Sequence, residues 1–222
     1  MGFRPDFAAG PAFYADGVVQ SGQQFRAQRD GSLIVAESHG KWYEAASRGT
    51  VYHATTLTAG IALIVSATTG NHPTLWNPNS AGTYNAEFVK LVAARVSGTD
   101  APGAWYWCAT NPAGAAIATG GPIATFTNVA PLSGLIGPGA ADSIMKWAPA
   151  VNTYTAAPVF YAPVGVTMYT GTVAAVIAEL QLVIEYDGDL IVGPNSALSL
   201  TTQVSTSTAL YAIDLAYNVS RA

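Results

Sequence analysis

The chain is poor in charge. Only 10% of its 222 residues are Asp, Glu, Lys or Arg, well under the roughly 25% usual for a soluble globular domain. The net charge is −4, and no cluster of Lys and Arg could neutralise a row of phosphates. Nucleic acid is therefore not an expected partner. Cysteine is nearly absent. Cys108 stands alone, which excludes an internal disulfide and a multi-cysteine metal site. Within Trp105-Tyr106-Trp107-Cys108 its expected role is a small buried hydrophobe. Long apolar runs are missing: residues 61–65 are far short of the about 20 needed to span a bilayer as a helix, so no membrane partner is expected. The N-terminus shows no apolar signal segment, and Asp6 stands where a myristoylation signal wants Ser or Thr. The chain is expected to be made in a cytoplasm and to stay there untargeted.

Histidine is scarce too. His39, His53 and His72 lack metal-ligand spacing to one another or to cysteine, so no metal or cofactor is expected. His53 falls mid-strand, as a satisfied or exposed strand residue. His72, before Pro73, is expected in a solvent-exposed loop. There is no Gly-x-Ser-x-Gly elbow, phosphate-cradling loop or His-Glu-x-x-His segment. A hydrolase acting on glycans would need a cleft pairing two of Glu179, Glu185, Asp187 and Asp189. The expectation is a protein that is not an enzyme.

What is present is strand. Half of the residues are apolar, and they come in short β-branched or aromatic pieces cut by Gly and Pro. Residues 50–56, 61–66, 84–97 and 103–109 read as strands. So do the pieces of 172–219, where strand, tight turn, short strand, Gly-Pro turn, strand, Ser/Thr loop and final strand succeed one another with almost no charge. Residues 71–80, with two prolines, read as a loop, and 141–147 could form one helical turn. Many short strands with Gly/Pro turns indicate an all-β sandwich or barrel. Residues 1–49 differ. Phe3, Phe7, Phe13, Tyr14 and Phe25 are scattered without a period, and five of the nine basic residues (Arg4, Arg26, Arg29, Lys41, Arg48) fall there. Such a segment cannot build its own core. It is expected to lie as an extended arm on another surface, with its aromatics as anchors. The body spans 50–222.

Two groups of residues are candidate sites. Glu185, Asp187 and Asp189 alternate; on one continuous strand they would share a face and could hold Ca²⁺. The favoured reading is a hairpin turn at Asp187-Gly188 flanked by solvated acids. Trp105 and Trp107 share one strand face, with Tyr106 opposite. These, with Trp76, are either core or interface residues, or a surface on which sugars stack.

Three stretches carry a resemblance. One is the loop from Gly70 to Ser80 with its Asn77-Pro78 step, followed by an apolar strand ending in Val96-Ser97-Gly98-Thr99 and Ala101-Pro102-Gly103-Ala104. The second is Gly188 to Leu200, and the third is the alternating strand 209–219. Together they resemble the trimeric jelly-roll proteins of tailed-bacteriophage virions, whose fold is like that of tumour necrosis factor. One departure is Gly193-Pro194-Asn195, where those proteins often have Pro-Gly. The resemblance implies an eight-stranded jelly roll that trimerises about an axis through one sheet. It also implies a capsid decoration (cement) or minor head protein that binds the major capsid protein or other virion proteins, assembled in the host cytoplasm and located in the virion. The alternative is the receptor- or carbohydrate-binding tip of a tail fibre. Burial of apolar surface between copies also suits a chain with so little charge.

Overall fold

The computed structural model describes residues 42–79, 82–98, 103–110, 123–137, 139–167, 181–186, 188–204 and 209–221. The arm aromatics Phe3, Phe7, Phe13, Tyr14 and Phe25 lie outside the described residues. The described chain is almost wholly antiparallel β-structure. A five-residue helix α1 (Tyr43–Ser47) leads into β1 (Val51–Thr55), β2 (Thr69–Asn71), β3 (Thr74–Asn77), β4 (Tyr84–Ser97) and β5 (Gly103–Thr110). Short strands follow: β6 (Ile123–Thr125), β7 (Leu132–Ser133), β8 (Lys146–Ala148) and β9 (Val151–Tyr154). The chain closes with β10 (Val159–Thr167), β11 (Gln181–Glu185), β12 (Ile191–Val192), β13 (Ser196–Thr202) and β14 (Leu210–Arg221).

Two sheets face each other. The first runs β11-β4-β14-β1-β7, with β12 continuing along β4; the second runs β10-β5-β13-β3-β8. A small third sheet runs β2-β9-β6. Period-2 alternation sends one face of each main strand inward. From β14 these are Tyr211, Ile213, Leu215, Tyr217 and Val219, and from β4 they are Phe88, Leu91 and Ala93. Facing them from the second sheet are Trp105, Trp107, Leu75, Leu198 and Leu200. Aromatic pairs join the layers edge to face: Trp105 with Tyr211, centroids 4.8 Å apart, and Phe88 with Trp107 at 5.3 Å. Such pairs add about 1 kcal/mol each beyond the area they bury. This is an all-β sandwich, as the composition and turn spacing predict.

The strands expected at 50–56, 84–97 and 103–109 and in the closing segment are present, although 172–180 lies outside the described residues. Other expectations need correction. Residues 61–66 form no strand. Ile61 bridges Tyr211 of the first sheet, and the Ile64 carbonyl accepts from the Thr202 amide of the second at 3.1 Å. A segment crossing between layers cannot ladder along either. The expected loop 71–80 holds β3, a strand paired on both sides. Pro73 and Pro78 bracket it, so neither removes a ladder donor. Residues 141–147 form no helical turn. Asp142 instead accepts the amides of Ile144 and Met145 at 2.7 and 3.2 Å, a local side-chain bond that competes with helix. The helix α1 carries no apolar period in the sequence, and its residues are all at least partly exposed.

Candidate functional site

The tryptophans separate. Trp105 and Trp107 are 1% and 2% exposed and belong to the core between the main sheets. The Trp107 indole N–H donates to the Tyr186 hydroxyl at 2.6 Å. In this chain they present no stacking surface. Trp76 is half-buried on the other face of the second sheet, edge-on to Phe126 at 5.4 Å, with Lys146 Nζ 5.2 Å from its ring centre. The structure does not bring the three together as one surface. Exposed aromatics stand elsewhere: Phe160 and Tyr161, 59% and 53% exposed, at an edge of the second sheet. The register of β10 on β5 slips between Phe160 and Ala162 and again between Pro163 and Gly165. The first slip makes Tyr161 the extra residue of a bulge, which turns it out beside Phe160. Pro163 and the bulges also blunt this edge against pairing with another strand.

The acids of the turn stay apart in role. The Glu185 carboxylate, on an exposed side chain, lies 3.7 Å from Lys90 Nζ. The Asp189 amide donates to the Tyr186 carbonyl at 2.7 Å, and Gly188 takes φ +91°, the left-handed conformation glycine adopts without penalty. These are turn features. Asp187 and Glu179 lie outside the described residues. Among the described residues no three His, Cys, Asp or Glu side chains cluster in a way that could hold a metal ion. Cys108 is buried, 3.1 Å from the Thr201 hydroxyl, and burial pushes its thiol pKa up.

The histidines part ways. His53 lies on the outward face of β1, and its Nδ1 is 3.0 Å from Asp214 Oδ2 on β14. That hydrogen bond raises the imidazole pKa. His72 contradicts its expected exposure: it is fully buried, and burial holds its pKa down at about 4. It sits beside a polar network that nothing in the sequence signals. Thr74 Oγ1 shares hydrogen bonds with the Tyr154 hydroxyl at 2.5 Å and Ser199 Oγ at 3.1 Å. Tyr154 and Ser199 close the triangle at 2.8 Å. Asn152 Nδ2 donates to the His72 carbonyl at 2.7 Å. The network joins the third sheet, through Asn152 and Tyr154 of β9, to β3 and β13 of the second. Burial raises the Tyr154 pKa to about 12, so its phenol stays protonated as a donor.

The outer face of the first sheet has the composition of a surface that can be covered. It carries Lys90, Val92 and Ala94 of β4, Ala212 and Asp214 of β14, His53 of β1, and Val183 and Glu185 of β11, all opposite the core-facing positions. Charges here find partners within the face. Lys90 meets Glu185, His53 meets Asp214, and Glu87 accepts from Asn218 Nδ2 at 3.1 Å and from the Ser220 hydroxyl. Small side chains between paired charges let a second sheet approach without stranding an unpaired ion.

No family model, curated protein or solved structure matches this chain.

Proposed function

We propose that this is a virion structural protein of a tailed bacteriophage, a capsid decoration or minor head protein that works as a homotrimer. The observation that carries the reading is the order of eight strands. Taken in sequence as β1, β3, β4, β5, β10, β11, β13 and β14, they alternate largely between the two sheets. The first sheet contains the first, eighth, third and sixth as neighbours, and the second contains the second, seventh, fourth and fifth. That interleaving of long connections is what two nested Greek keys produce in a jelly roll. The outer face of the first sheet, small and internally charge-paired, is the surface through which copies associate. The arm, 1–49, contacts the shell subunits through Phe3, Phe7, Phe13, Tyr14 and Phe25.

Light scattering of the purified chain tests the trimer; a monomer at micromolar concentration sinks it. Ala212→Arg, on the outer face, should give a folded monomer. Deleting residues 2–41 keeps α1, whose Ala45 carbonyl accepts from Thr50 Oγ1 at 3.0 Å. It should leave a folded trimer that no longer co-purifies with particles, and retained binding overturns the arm model. A second reading, the carbohydrate-binding tip of a tail fibre, is favoured by one observation: the exposed pair Phe160 and Tyr161. Glycan-array binding lost in Phe160→Ala would support it.

A further inference from the structure

The outer faces of the two main sheets differ. On the second sheet the outward residues Thr74, Cys108, Ser199 and Thr201 are all buried, and Tyr154 of the third sheet is bonded to Thr74 and Ser199. On the first sheet the outward Leu132, Val183 and Ile191 are 61%, 46% and 51% exposed. They stand in register with His53, Val92 and Glu87, so open apolar groups run from β7 to β12. Two ladder rows cross the middle of this face. One runs Glu185, Lys90, Ala216, His53 and Leu132; the next runs Val183, Val92, Asp214 and Thr55. His53 and Asp214 meet between the rows. The imidazole Nδ1 lies 3.2 and 3.0 Å from the two carboxylate oxygens, and the side chains are 42% and 33% exposed. A partner reaching from Leu132 to Val183 must cover both.

We propose that His53 and Asp214 form a proton gate on self-association: copies join through this face while His53 carries its proton and separate when it is lost. The proposal rests on the reading that copies associate through this face. With the carboxylate ionised, Nδ1 keeps its hydrogen as donor, so the proton that comes and goes is on Nε2. With that proton, the covered pair is neutral overall. Without it, a full negative charge goes under the partner with no cation beside it, which is costly. The surrounding charges do not supply that cation. Lys90 of β4 lies 3.7 Å from Glu185 of β11, and Arg48 of α1 lies 3.6 Å from Glu44. Arg95 and Arg221 stand beside Tyr211 and Tyr84 in the register, away from both rows. Strand β7 brings no charge. Of the nearby acids, Glu87 accepts from Asn218 and Ser220, and Asp142 accepts from Tyr217 on the core side. The bond to Asp214 already raises the imidazole pKa in the single chain. Covering the pair raises it further, so association takes up a proton.

The test measures the association constant of the full chain by sedimentation at fixed ionic strength, from about pH 6 to about pH 8.5. The constant should fall as pH rises through the His53 titration, by up to about tenfold per pH unit for each His53 covered. His53→Gln should abolish the dependence. Asp214→Asn should reverse it, because the proton then strands a cation instead. Both positions are partly exposed, and circular dichroism should show that each variant keeps its sheets. An oligomer that Ala212→Arg disrupts but pH leaves unchanged overturns the gate alone. So does a fall that survives His53→Gln, which belongs to another group such as His39, or one that survives Asp214→Asn. A monomer at every pH, or an oligomer that Ala212→Arg leaves intact, overturns the reading of this face and the gate with it.

Discussion

The loop between β7 and β8 is pinned to the core by one carboxylate, and removing a single oxygen atom tests how strongly. Asp142 is only 5% exposed. Its Oδ1 accepts the amides of Ile144 and Met145, and its Oδ2 accepts from the hydroxyl of the fully buried Tyr217 at 2.6 Å. The Asp142 amide in turn donates to the Pro131 carbonyl at 3.0 Å. Burial above all, then the neighbouring carboxylate, pushes the Tyr217 pKa well up, so the phenol remains a donor at any ordinary pH. Tyr217→Phe keeps the ring and its packing but leaves Oδ2 buried without its partner. A hydrogen bond to a charged group contributes about 1.5–3 kcal/mol, and stranding a buried charged group adds to that. We expect a loss of about 3 kcal/mol. In urea unfolding, the midpoint should fall with the m-value unchanged. In a chain of this size Tm should drop by roughly 6–12 °C. Asp142→Asn, which keeps the shape and removes the charge, should cost less, and the double variant should cost less than the sum because the two groups are in contact. A Tyr217→Phe loss below about 0.5 kcal/mol, the range of a surface change, would refute the reasoning.

Three further outcomes follow from the same structure. The His72 pKa is about 4 when folded against 6.5 in the unfolded chain, so its neutral burial stabilises fully above pH 6.5 and is lost as pH falls through 6.5 toward 4. The linked loss is up to about 3 kcal/mol, measured as urea stability against pH and flattened in that window by His72→Phe. The His53 pKa is raised by its bond to Asp214, so this pair contributes below pH 6.5 and fades as pH rises through the raised value; the pair is partly exposed and adds under about 1 kcal/mol. Asp214→Asn should return the His53 ring titration, followed by NMR, to the ordinary range. Gly60 has φ +73°, and a Cβ there would stand 3.0 Å from backbone atoms of Tyr211. Gly60→Ala should therefore cost about 1–3 kcal/mol in thermal unfolding, and a neutral result would contradict the bridge between Ile61 and Tyr211.

The strands most legible in the sequence were those with one face in the core. In β14 the apolar residue at every second position, from Tyr211 to Val219, states both the strand and its buried side. β5 shows the same alternation, with Trp105 and Trp107 on one face, but not which way that face turns. The reading failed where a partner supplies what the residues lack. β3 is four residues between two prolines, too short to signal itself, and it exists because β13 and β8 offer ladders on both sides. The polar network at Thr74, Asn152, Tyr154 and Ser199 was invisible because Ser, Thr and Asn in a strand look the same whether solvated or enclosed. Only the third sheet, laid over the second, encloses them.

Composition and alternation by themselves determined that this chain is an all-β sandwich, since period 2 is a local property of the backbone and needs no knowledge of partners. They also placed Cys108 in the interior. Tertiary structure alone decided the rest. It set His53 against Asp214, 161 residues away. It buried His72 in a setting that keeps it neutral, and it carried Trp105 and Trp107 inward while a bulge turned Phe160 and Tyr161 out. Each of these depends on which strands become neighbours, and long-range pairing is a property of the whole chain rather than of any segment of it.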